Sequence, residues 1–256
     1  MSTDRFSHYY QRRYYAYQSI SRGWRTEAQL KAASQDAADD YLSSLGRWLP
    51  GDRSSLCIDL PCGAGRFLYF LRTRGYSNAV GYDIDPHQIS LARMLGLDAS
   101  CGDAFEVLSS LPGEPALIAS LDFLEHLDRD SAVRFLEACF CALRPGGALV
   151  LRTPCCDGPF GAHDRHNDIT HEWGVTSNAL RCLLGMVGFE TIHVIDPLPP
   201  PISLYMFVRR QLSKVTRSAA GVVVRLMGLS PPAVWSRSFY AVAIKPLSPV
   251  GAIAQD

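Results

Sequence analysis

Between Leu56 and Ile195 the chain alternates short, continuous apolar runs with longer stretches whose apolar residues return at helical spacing. The runs SSLCIDL (54–60), NAVGYDI (78–84), PALIASL (115–121), GALVLRT (147–153) and FETIHVI (189–195) predict buried strands, with another short one near Leu97–Cys101. Helices are predicted over Gly65–Arg74, with Phe67, Leu68 and Leu71 as the apolar stripe, and over Pro86–Leu95, where proline suits the first turn. A brief helix follows Cys101. Two more span Ser131–Leu143, stopped by Pro145-Gly146-Gly147, and Thr176–Val187, capped by Gly188. Parallel strands need crossovers, and helices at this spacing supply them. The class is therefore α/β, with a doubly wound, mainly parallel sheet.

The flanks break the rhythm. Glu27–Trp48 has a helical period through Leu30, Ala33, Ala37, Tyr41, Leu42 and Leu45, and Pro50-Gly51 ends it. Residues 1–24 are aromatic and basic, with Tyr9, Tyr10, Tyr14, Tyr15, Tyr17 and Trp24, and read as a helix that packs its rings on the domain or closes over a site. After PLPPP (197–201), Ile202–Leu229 reads as one basic amphipathic helix or two. SFYAVAIKP (238–246) then finishes the sheet antiparallel at its edge, the seventh strand. The chain divides into an N-terminal helical cap (1–50), a ligand-binding α/β domain (51–196) and a basic helical segment with the final strand that completes it (197–256).

Composition changes this picture in two places. The formal net charge is zero, which disfavours nucleic acid as a partner. The charge is unevenly spread, however: after Asp196 the sole acid is Asp256, against Arg209, Arg210, Lys214, Arg217, Arg225, Arg237 and Lys245. Such a helix suits a membrane surface, an anionic partner or a solvated cap over a site. The cysteines form no CxxC pair and several sit in apolar runs, so no zinc framework is expected. With no secretory signal or spanning stretch, a cytoplasmic protein is expected, with peripheral contact to the inner membrane face through the basic helix.

The chemistry gathers where strands end. Asp59-Leu60-Pro61-Cys62-Gly63-Ala64-Gly65 closes the first strand and opens a helix, and glycines there let the backbone approach a ligand. The second strand ends at Tyr82-Asp83-Ile84-Asp85, where an acid can accept both hydroxyls of a ribose. A nicotinamide dinucleotide would use the same acid. Yet Leu68 stands where the third glycine of GxGxxG belongs, and Asp59 would repel a pyrophosphate while favouring an ammonium group. Gly102-Asp103-Ala104 follows the third strand, Ser120-Leu121-Asp122-Phe123-Leu124-Glu125-His126-Leu127 the fourth, and Leu143-Arg144-Pro145-Gly146-Gly147 precedes the fifth.

In this order, from about Cys57 to Ile195, DLPCGAG, GYDID, GDA, DFLEHL, LRPGG and the helix end Gly188-Phe189 resemble the class I S-adenosylmethionine-dependent methyltransferase superfamily. Pro61 stands where that family usually has glycine. The resemblance implies a Rossmann-like sheet with S-adenosylmethionine as cofactor. It also implies Asp59, Pro61, Gly63 and Gly65 at the methionine end and Asp83 and Ile84 on the ribose and adenine face. Asp103 and Ala104 would lie at adenine, and the Leu121 backbone near the sulfonium. The tyrosine-rich start, the THE loop, the basic helix and the AVAIKP strand are similar to bacterial methyltransferases encoded with cell-envelope polysaccharide enzymes. That likeness implies O-methylation of a sugar hydroxyl on a glycan or glycan precursor.

Transfer to a hydroxyl needs alignment and a base. Candidates crowd GAHDRHNDITHEWGVT (161–176): His163, Asp164, His166, Asp168, His171 and Glu172. His171 is the preferred base and His126 the second catalytic candidate. Asp122, Glu125 and His126 have a spacing that can set them on one helical face, where His171 could complete a divalent-metal set. This is similar to small-RNA 3′-end 2′-O-methyltransferases; the reading without a metal is preferred. The alternatives are a lipid-quinone precursor or an RNA 2′-hydroxyl as acceptor, or a non-catalytic cofactor-binding partner subunit.

Overall fold

The computed structural model describes residues 17, 24, 26–111, 113–159, 161–198 and 200–247; the expected aromatic N-terminal helix falls outside them apart from Tyr17 and Trp24. Helix α1 (Glu27–Leu45) starts at a capping box, in which Thr26 and Gln29 satisfy each other's backbone N–H, and runs into one 3₁₀ turn (Gly46–Trp48). Its Tyr41 meets Phe67 edge-on at 5.1 Å, so this helix shares the core of the body that follows.

The strands are β1 (Cys57–Asp59), β2 (Ala79–Asp83), β3 (Ala99–Cys101), β4 (Leu117–Leu121), β5 (Ala148–Pro154), β6 (Thr191–Ile195) and β7 (Ser238–Ile244). They form one seven-stranded sheet in the order β3-β2-β1-β4-β5-β7-β6. Between them run α2 (Arg66–Thr73), α3 (Pro86–Met94), α4 (Ala104–Ser109), α5 (Arg129–Ala142), α6 (Gly161–His166), α7 (Ser177–Val187) and α8 (Leu204–Leu226). The caps follow the sequence signals: Asp85 before Pro86, Asp103 before α4, Thr176 before α7, and Gly188 left-handed after it. Ile202–Leu229, expected as one helix or two, contains the single helix α8.

One placement differs from expectation. Strand β7 is not at the edge: it lies antiparallel between β5 and β6, pairing from Ala148↔Ile244 to Pro154↔Ser238 on one side and from Thr191↔Ile244 to Ile195↔Tyr240 on the other. Its own residues explain this. Phe239, Ala241 and Ala243 enter the core on one face of the sheet, while Tyr240 and Val242 enter the core on the other. A strand buried on both faces belongs inside a sheet, and the half-exposed β6 takes the edge.

The order reverses between β1 and β4, so the crevice beyond their C-terminal ends is the switch point of the sheet. Gly65, which begins α2 there at φ +77°, is fixed by packing: a Cβ would come within 2.6 Å of Leu97 and 2.9 Å of Ala92. Gly75 has φ +86° but nothing within 4 Å. Gly75→Ala should therefore cost only the left-handed strain, about 1–2 kcal/mol, and Gly65→Ala about 1–3 kcal/mol more from overpacking. Urea unfolding of the two variants checks this, and equal losses would contradict the clash.

Candidate active site

A cavity of about 890 Å³ opens at that crevice. Asp59 ends β1 and is 1% exposed, with one oxygen accepting the Leu68 N–H at 3.1 Å. Burial pushes its carboxyl up to about 8, the Leu68 N–H and Arg152 opposing the rise and Asp83 adding to it. Asp83 ends β2 and accepts two backbone N–H groups at 2.8 Å, from Gly63 and from Asp85, so it shapes the glycine turn as well as facing the cavity. Burial raises this carboxyl too, against those two bonds. Ile84 beside it is left 51% exposed on the cavity wall. Asp103 holds the start of α4 by accepting from Phe105 and Glu106, which fixes Ala104 at the rim; Leu121 lines the floor between the two ends.

The turn itself divides in two. Gly63 (φ +52°) faces the cavity, and a Cβ there would meet nothing nearer than Gln88 Oε1 at 3.8 Å. Pro61 also lines it, after a cis Leu60–Pro61 peptide. Gly65 was expected at the methionine end, but it turns into the packing against α3 and does not line the cavity.

Several lining residues carried little signal in the sequence. Arg66 stands in the first turn of α2, where the helix dipole disfavours a cation, and that misfit is the one clue that existed. Its guanidinium lies 5.5 Å from the Trp24 ring and donates to the Ala33 carbonyl at 3.2 Å. Arg152, at the end of the apolar run of β5, pairs with Asp122 through two contacts, one of them Nε to Oδ1 at 2.8 Å. Gln88 and Phe105 complete this side.

The opposite wall holds the candidate base. Asp122 does not share a helical face with Glu125 and His126. The chain turns left-handed at Asp122 (φ 56°) before a single 3₁₀ turn (Leu124–His126), and this sends its carboxylate to Arg152. Glu125, His126 and His171 remain together, each with a potential ligand atom within 4.8 Å of the others, an O/N/N set. The His126 and His171 rings meet edge-on at 4.8 Å.

His126 is oriented from behind. Its Nδ1 lies 2.9 Å from the Thr170 hydroxyl and 3.2 Å from the Thr170 carbonyl, while that hydroxyl donates to Asp168 at 2.6 Å. A carbonyl only accepts and the hydroxyl proton is committed to Asp168, so the network assigns the ring proton to Nδ1 and leaves Nε2 basic. Burial, then the neighbouring His171, hold His126 below the ordinary imidazole range. Burial and Asp122 lift Glu125 well above the carboxylate range. Burial also acts upward on Asp168, but the Thr170 bonds and the two imidazoles hold it low. Of the other loop candidates Asp164 reaches the cavity, paired with Arg237, whereas His163, His166 and Glu172 are exposed outside it.

A seven-stranded sheet with an antiparallel penultimate strand, and acids and a glycine turn around its switch point, defines the class I methyltransferase architecture, whose methyl donor is S-adenosylmethionine. Residues 33–194 match the family model described as a methyltransferase domain, well over half of the chain, and the chain belongs to that family. It is similar to the tRNA U34 carboxymethyltransferase of Pseudoalteromonas translucida, 31% identical over 153 residues that cover 54% of this chain and 46% of that protein. It is also similar to the ubiquinone biosynthesis O-methyltransferase of Xanthomonas campestris pv. campestris, 29% identical over 111 residues, covering 41% and 44%. The chain spans about half the length of the curated relatives it matches. A solved S-adenosylmethionine-dependent methyltransferase from Archaeoglobus fulgidus shares the fold at a TM-score of 0.60 and 21% identity, covering 78% of this chain and 91% of that one.

The cavity fits the cofactor. A buried carboxylate at Asp59 can meet an ammonium group, Gly63 leaves room for close approach, and Asp83 with Ile84 offers an acid beside an apolar wall. The raised carboxyl of Asp59 also has a consequence for the ligand-free protein. Its folded pKa of about 8 exceeds the unfolded value, so its contribution to stability is complete below the ordinary carboxylate range and is lost as pH rises through about 8. Thermal unfolding between about pH 5 and about pH 9 should show this decline in wild type and a flatter profile in Asp59→Asn. Parallel profiles would show that Asp59 ionises at its ordinary pKa in the fold.

Proposed function

We propose that the protein is an S-adenosylmethionine-dependent O-methyltransferase acting on a sugar hydroxyl of a glycan or glycan precursor. When bound, S-adenosylmethionine supplies a methyl group activated by a sulfonium. Asp59, Gly63, Asp83, Ile84, Asp103, Ala104 and Leu121 are the residues to hold it, and Pro61 stiffens their loop. The observation that carries the reading is the oriented imidazole of His126. Asp168 and Thr170 fix its proton on Nδ1, and its lowered pKa keeps the ring neutral at neutral pH, the state in which Nε2, 4.0 Å from Glu125, can take up a hydroxyl proton. His171, preferred on sequence alone, becomes the partner imidazole that depresses His126.

The rest of the acceptor wall is polar. Asp164, Asn167, Asp168, Arg237 and Ser238 line it, a surface matched to several hydroxyls. A phenolic hydroxyl on a lipid-quinone precursor is the second reading. It is favoured by the likeness to the ubiquinone-pathway O-methyltransferase and by the exposed apolar side of α8.

The first test is calorimetric titration of S-adenosylhomocysteine, where binding should be micromolar in wild type and lost in Asp83→Ala. Methylation assays with sugar and catechol acceptors then separate the two readings, and methylation of catechols alone would remove the glycan. His126→Ala should lower turnover by about 10²-fold or more with cofactor affinity kept. The acid limb of the rate profile should lie below the ordinary imidazole range in wild type and move upward in His171→Asn, because the neighbouring charge is gone. A limb that stays in place would take His126 out of the mechanism.

A further inference from the structure

Helix α8 carries its apolar stripe on the side turned away from the protein. At 3.6 residues per turn, Leu204, Val208, Leu212, Val215, Val222 and Leu226 fall within an arc of about 80°. All six are exposed, from 46% at Val208 to 82% at Leu226. The other side faces the body: Gly221 is the buried residue of the helix, and Arg217 donates to Asp196 at 2.6 Å and to Ser236 at 2.9 Å. A surface helix ordinarily turns its stripe to the core, so this orientation is inverted. The helix has five basic residues and no acid, and helical spacing sets Arg209 on one border of the stripe and Lys214 and Arg225 on the other.

We propose that α8 docks the protein on an anionic lipid surface, lying in the interface with this stripe toward the acyl chains. A cationic border around an apolar face is the complement of acidic headgroups over hydrocarbon. Among the described residues no helix is long and apolar enough to cross a membrane, so the helix lies on the surface. A second copy fits the face poorly, because a two-fold pairing would bring basic borders together with no acid to answer them. The clamp of Arg217 on Asp196 and Ser236 sits beside Ser238, which lines the cavity. Docking therefore brings the acceptor wall close to the lipid boundary and favours a lipid-linked acceptor. That last step rests on the acceptor reading above; the docking does not.

The test is co-sedimentation of the full chain with phosphatidylglycerol-containing vesicles and with phosphatidylcholine vesicles. We expect binding to the former alone, weakened by salt. Binding should fall about tenfold or more in Leu212→Glu/Val215→Glu and in Arg209→Gln/Lys214→Gln/Arg225→Gln. Titration with S-adenosylhomocysteine shows in parallel that each variant is folded and separates a failure of docking from a failure of the cofactor site. Protein that binds this ligand yet stays in the supernatant with anionic vesicles overturns the proposal. So does a wild-type dimer that Leu212→Glu/Val215→Glu converts to monomer, since the occupant would then be a second copy.

Discussion

Two backbone N–H groups converge on the carboxylate of Asp83, one from Gly63 in the turn after β1 and one from Asp85 at the start of α3. Both contacts are short, and the acid that makes them is nearly buried. Through them the end of β2 dictates where the glycine turn lies, and the turn dictates where α2 starts. The cavity between β1 and β4 takes its shape from this one anion. An unpaired carboxylate in such surroundings would be costly, and two N–H partners offset that cost while leaving the acid at the cavity wall.

The far side of the crevice is organised by a different device. Arg165 donates to the carbonyls of His171 and Glu172, and the Glu172 N–H returns to the carbonyl of Glu125. The loop after β5 is thereby stitched to the 3₁₀ turn after β4, and His126 and His171 are brought together edge-on. His126 ends a single 3₁₀ turn and His171 lies outside any helix. Each depends on backbone bonds made by a neighbour, and this gives the rear contact through Thr170 its geometry.

Most of the sheet was legible in the chain because its strands are continuous apolar runs and its helices end at recognisable caps. The position of β7 was not. An antiparallel strand can be drawn at the edge or inside, and the difference lies in burial on both faces, which SFYAVAI shows only once its partners are known. The lining of the crevice was legible from the strand ends, since Asp59, Gly63, Asp83, Asp103 and Leu121 all face the cavity there; Gly65 does not, because tight packing of α2 on α3 asks for the same residue. The acceptor side was legible as a crowded loop but not as a geometry. Asp122 left the expected cluster through a single left-handed residue, which no spacing rule anticipates. Arg66 and Arg152 stayed hidden because one charge at an element's end is common on any surface.

Asp196 closes a circuit: besides Arg217, it accepts the N–H groups of Trp235 and Ser236, on the far side of α8 in the chain. The excursion between β6 and β7 is thus fastened at its own base, like a drawstring. Closing a longer or shorter loop across a fixed base changes the entropy only slowly with length. Apart from Arg217, which joins the fastening, what lies between Pro197 and Val234 can therefore change in length at little entropic cost to the strand it returns to. The sheet keeps the frame of the site, and this cassette is where evolution, or an engineer, can rewrite the surface while the frame stays as it is.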